Sequence, residues 1–90
     1  MIDVTIIHYI LSSIENNYID KIEFTEVSES LIEVTAIVSN EMKIKPVMMM
    51  IEANMYTRNN LLAKKITCEL DKIIIDTFNN IKYVIHVVTK

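Results

Sequence analysis

The chain contains no glycine, a single proline and a single cysteine in 90 residues. Ordinary proteins use about 7% glycine, so the first absence excludes whole classes of site. Phosphate-cradling loops, dinucleotide fingerprints and nucleophile elbows need glycine where the backbone takes positive φ or closely approaches a ligand. None of them can be built from this sequence. The lone cysteine, Cys68, rules out an internal disulfide and suits a reducing compartment. Long apolar runs are missing too: the longest, VMMMI at 47–51, falls far short of the ~18 residues of a membrane span. An acidic residue, Asp3, rather than a basic cluster precedes the first apolar residues, so no secretory segment is expected. These features lead to the expectation of a cytoplasmic, intracellular protein.

What is present is apolar. The hydrophobic fraction is 51% and the mean hydropathy +0.29, high for one small domain whose surface is large relative to its volume. Residues 1–90 are read as that one domain, with apolar side chains left over for solvent or a partner. A net charge of −3 and a pI near 5.3 argue against a general nucleic-acid binder, whose affinity rests on neutralising phosphates.

Periodicity suggests the elements. Val4, Ile7, Leu11, Ile14 and Tyr18 recur at three- and four-residue steps, which predicts an amphipathic helix over 4–18 with Asp3 as its N-cap. KIEFTEV and LIEVTAIVS then alternate with period two around the turn SES, predicting a hairpin. One helix over 47–78 would run roughly 48 Å, longer than such a domain can cover, and Thr57, Asn59 and Asn60 favour a break. The segment 44–56 is therefore read as a third strand and 60–78 as a second helix. The competing reading keeps the methionine segment helical, since methionine forms helices well. IKYVIHVVT closes the chain as a strand. The expected architecture is α+β, in the order α-β-β-β-α-β: a four-stranded, mainly antiparallel sheet with two helices on one face.

Two candidate interfaces follow. In the strand reading Met48 and Met50 face away from the helices, beside Ile37, Val84 and Val88 on the outer sheet face. Exposed apolar patches of this kind mark contact surfaces, and methionine adapts readily to partners. On the second helix Leu61, Cys68 and Ile75 lie seven residues apart, outside the core arc of Leu62, Ala63, Ile66, Leu70, Ile73, Ile74 and Phe78. Such spacing serves a helix–helix contact.

Chemistry is sparse. His8 and His86 have no neighbour at a metal-ligand spacing, Cys68 belongs to no nucleophile motif, and Glu23, Glu26, Glu29 and Glu33 read as solvation of a hairpin. No catalytic, cofactor-binding or metal-binding residue is assigned, and no enzyme activity is expected. Lys43, Lys45, Arg58, Lys64 and Lys65 form the candidate nucleic-acid contact, without interleaved aromatics to stack on bases.

From residue 47 onward, VMMMIEANMYTRNNLLAKKITCELDKIIIDTFNNIKYVIHVV resembles the second half of the alkaline shock protein family: an apolar strand, an Asn-containing loop, a helix and a closing strand. Tyr56-Thr57 stands where that family has Tyr-Gly, and Asn79 stands for a glycine near the helix end. The element order also resembles small tail-terminator and neck proteins of tailed phages. Both resemblances imply non-enzymatic proteins that assemble with copies of themselves, virion-associated in the phage case. The leading expectation is a homo-oligomeric assembly or interaction module. The alternatives are a small nucleic-acid-associated protein, or an inhibitor or immunity-type protein whose acidic hairpin meets a basic partner.

Overall fold

The computed structural model describes residues 7, 11–12, 18–57 and 63–90. Among these residues are five strands, β1 (Ile19–Val27), β2 (Leu31–Val38), β3 (Ala63–Cys68), β4 (Lys72–Thr77) and β5 (Lys82–Thr89), with a helix α1 (Ile44–Thr57) between β2 and β3. They form one mixed sheet in the order β1-β2-β5-β4-β3. Hairpins pair β1 with β2, β3 with β4 and β4 with β5, whereas β2 and β5 run parallel, from Leu31 opposite Lys82 to Val38 opposite Thr89. A parallel pair needs a crossover connection, and α1 with β3 and β4 supplies it.

The four-stranded, mainly antiparallel sheet with two helices is thus corrected to a five-stranded mixed sheet, with α1 the one complete helix among the described residues. The segment 44–56 is helical rather than a strand. Asn40 caps its approach, its backbone extended and its side-chain oxygen accepting the Met42 N–H at 3.0 Å, ahead of a 3₁₀ turn at Glu41–Lys43. Pro46 lies in the first turn of α1, where its missing N–H costs nothing. Val47, Met48 and Ile51 are buried while Lys45, Pro46, Met49 and Ala53 are exposed, a helical spacing.

The region 60–78 was expected to be a helix, and its described part folds instead as the β3–β4 hairpin. Ile66, Thr67, Ile73, Ile74, Ile75 and Thr77 are β-branched, which stiffens χ1 against a helix and suits a pleated surface. Leu70 and Phe78, expected in the helix core, sit at turns and are 96% and 68% exposed. Residues Ile7, Leu11 and Ser12 are helical, with Ile7 and Leu11 fully buried. Tyr18, expected as the last apolar residue of the helix over 4–18, is instead an exposed turn residue leading into β1, and the rest of that helix lies outside the described residues.

All the main-chain turns are made without glycine. Asn80, at φ 65°, takes the left-handed conformation between β4 and β5, which asparagine tolerates better than most side chains. Thr77 fastens that turn: its hydroxyl donates to the Ile81 carbonyl at 2.7 Å and accepts the Ile81 N–H at 3.2 Å.

The core lies on one face of the sheet. Ile32, Val34, Ala36 and Val38 of β2, Ile73 and Ile75 of β4, and Tyr83, Ile85 and Val87 of β5 pack in one cluster with Val47, Met48 and Ile51 of α1, and with Ile7 and Leu11. Fully burying each large aliphatic side chain contributes about 1.5–3 kcal/mol, so this face carries most of the hydrophobic stabilisation. No helix among the described residues is long and apolar enough to cross a membrane.

Candidate interaction surfaces

The alternation that buries one face of the sheet turns the other set of side chains outward. On β2 these are Leu31, Glu33, Thr35 and Ile37; on β5, Lys82, Val84, His86 and Val88; on β4, Lys72, Ile74 and Asp76. Lys21, Glu23 and Glu26 extend this surface over β1, and Lys65 and Thr67 over β3. No described helix covers it. Its centre is half-buried, with Ile37, Ile74, Val84 and Val88 around a polar contact. There His86 Nε2 lies 2.7 Å from Glu33 Oε2, their side chains 30% and 35% exposed.

Charge divides across this face. Three carboxylates, Glu23, Glu26 and Glu33, stand with Lys21 on the β1–β2 flank. Three lysines, Lys82, Lys72 and Lys65, stand with Asp76 from β5 to β3. Lys21 pairs with Glu23 at 2.9 Å, and Lys82 with Asp76 at 3.9 Å. These are exposed pairs of the kind that contribute little to stability.

The expected patch therefore divides. Ile37, Val84 and Val88 do lie on the outer sheet face, but Met48 and Met50 belong to α1, across the sheet. Met48 is 7% exposed in the core and Met50 packs against it, because their segment is helical and cannot alternate as a strand. The seven-residue stripe is likewise dissolved. Ile75 is fully buried on β4, Cys68 ends β3 on the exposed edge, and Leu61 lies outside the described residues. Ile74, which continues the outer patch, was assigned to the core because a run of three isoleucines fits either period.

The basic residues are not assembled. Lys43 ends the 3₁₀ turn before α1 and Lys45 lies in the first turn of α1, near Cys68 at the end of β3, whereas Lys64 and Lys65 sit at the start of β3, with Arg58 outside the described residues. Lys64, Lys65 and Lys82 edge a small cleft of about 450 Å³ that also holds Asp76 and Asn80.

A larger groove, about 920 Å³, opens between the first half of α1, the β3–β4 turn and the end of β5. Nothing in the sequence pattern pointed to it, since its walls come from segments assigned to other elements. Cys68 lies in its wall and donates its thiol hydrogen to Glu52 Oε2 at 3.3 Å. Partial burial, that hydrogen bond and the Glu52 charge, in descending order, push the thiol pKa above its ordinary value. The proton stays on sulfur and the nucleophilic thiolate is disfavoured. Among the described residues no group of three His, Cys, Asp or Glu side chains could hold a metal ion.

The chain matches no protein-family model, no curated protein and no solved structure. The alkaline shock resemblance therefore rests on the residues quoted for it, and the phage resemblance on the expected element order alone.

Proposed function

We propose that this protein is a non-enzymatic assembly module that associates with a second copy of itself through the outer face of its sheet. The observation that supports this most is the arrangement of that face: Ile37, Ile74, Val84 and Val88 set around the His86–Glu33 contact on β2, β5 and β4, with one acidic flank and one basic flank. With β5 central, a two-fold axis parallel to the strands lays the β1–β2 flank of one copy over the β4–β3 flank of the other. Opposite charges then meet on both sides, which orients the pair. The result is a face-to-face sheet sandwich about 10 Å thick at its core.

Its size predicts its strength. Five strands about 4.8 Å apart, each offering about 20 Å of length, give a footprint of roughly 500 Å² before side-chain relief. That is at the small end for specific interfaces, so the dimer should dissociate on dilution. The separation of the basic residues at opposite ends of the sheet favours this reading over nucleic-acid binding. Light scattering during size exclusion at several loading concentrations tests it. The wild-type mass should rise toward that of a dimer, and Val84→Lys should hold the folded protein at monomer mass. A wild-type monomer at the highest concentration, or a Val84→Lys variant that dimerises normally, overturns the proposal.

A further inference from the structure

We infer that the groove between α1 and the β3–β4 turn is a docking site for a basic amphipathic segment of another protein. Two large apolar side chains beside the groove are exposed. Leu70, at the tip of a two-strand turn where polar residues are usual, is 96% exposed, and Met49 on the facing wall is 61% exposed. Neither packs in the core cluster, yet both project beside a cavity whose apolar lining continues through Ile44, Met48 and Val87. Unbranched, polarizable methionine can mould to different partner side chains, and an apolar cleft with a polar rim is a recurring form for recognising an amphipathic segment.

The rim selects the partner's charge. Glu41, Glu52, Glu69 and Asp71 surround the groove against a single Lys45. Glu69 is paired with Lys72 at 3.4 Å, but Glu41, Glu52 and Asp71 have no cationic partner among the described residues. Glu52 accepts the Cys68 thiol hydrogen. Three uncompensated carboxylates around an apolar floor favour lysine or arginine side chains flanking large apolar ones, and disfavour an acidic segment or an anionic surface. The site meets the proposed dimer face only at Val88, on its margin: Leu70 and Met49 belong to the turn and the helix, and neither lies on the outer sheet.

The test uses the full chain and a fluorescein-labelled synthetic peptide of fourteen residues with leucine and lysine at amphipathic helical spacing, titrated by anisotropy. Two control peptides replace its lysines by glutamate or its leucines by serine. The leucine–lysine peptide should bind saturably, and both controls at least tenfold more weakly. Met49→Ser with Leu70→Ser, surface changes that leave the core untouched, should weaken binding tenfold or more. Glu41→Lys with Asp71→Lys should do the same, and Val84→Lys should leave it unchanged. Circular dichroism confirms that each variant is folded. The inference is overturned by equal binding of the glutamate peptide, by binding indifferent to Met49 and Leu70, by absence of saturable binding at millimolar peptide, or by binding lost only in Val84→Lys. Preferential binding of the protein to anionic lipid vesicles over the peptide would also overturn it.

Discussion

Three consecutive methionines allow the fold to be tested with two substitutions. In α1 Met48 points into the core at 7% exposure and Met49 points out at 61%; as a strand, the same segment would bury Met49 and expose Met48. Truncating a buried methionine to alanine costs about 2–5 kcal/mol, through lost transfer energy and the cavity left behind. Met48 contacts the sheet's central cluster, where close packing restricts collapse of such a cavity, so a value of about 3 kcal/mol is expected. Met49→Ala should stay within about 0.5 kcal/mol, as surface changes do, with alanine's helix propensity acting in its favour. For a domain of this size about 3 kcal/mol lowers Tm by roughly 12–24 °C. Urea titration followed by far-ultraviolet circular dichroism reads both variants at constant m. A Met49→Ala variant less stable than Met48→Ala would refute the helical assignment and with it the groove.

Other outcomes follow from the turns, the thiol and the core hydroxyl. At Asn80, valine should cost about 1–2 kcal/mol because a β-branched side chain opposes the left-handed backbone, while glycine should be neutral or slightly stabilising; both are read by thermal melting. Cys68 should react with iodoacetamide more slowly at neutral pH than a free thiol, with the midpoint of its rate–pH curve shifted upward. Glu52→Gln should move that midpoint down, since it removes the adjacent negative charge. An unchanged curve would show that Glu52 has no influence on the thiol. Thr77→Val keeps the shape of a buried side chain but leaves the Ile81 amide and carbonyl without the hydroxyl, and should cost about 1–3 kcal/mol by urea titration.

How far the sequence could be read depended on how many periods each segment satisfied. β2 and most of β5 alternate unambiguously, and their inward residues Ile32, Val34, Ala36, Val38, Tyr83, Ile85 and Val87 are the buried ones, whereas the alternation of β1 is interrupted by register shifts at Ile19/Lys21 and Phe24/Glu26. The break placed at Thr57–Asn60 coincides with the end of α1, but the elements on its two sides were exchanged. Methionine has no branching to mark a strand, and the signals that decide the matter are short-range: Asn40 as a cap and Pro46 in a first helical turn. On the far side, Ile73-Ile74-Ile75 satisfies both a helical and a strand period, and only the density of β-branched residues separates them. The parallel pairing of β2 with β5 left no local trace, since it depends on where a crossover returns. Of the outer patch, Ile37, Val84 and Val88 were legible because their strands were, whereas the groove emerges only when α1 and the β3–β4 turn are brought together.

The central claim is that two copies meet with β5 over β5, and position-specific cross-linking tests it most directly. In a Cys68→Ser background, Val84→Cys places one thiol at the middle of the outer face, and Pro46→Cys places one on exposed α1 across the sheet. A short bis-maleimide whose span matches sheets about 10 Å apart should convert Val84→Cys to covalent dimer and leave Pro46→Cys monomeric. Equal cross-linking at the two positions, or dimer from Pro46→Cys alone, would contradict association through the outer sheet face.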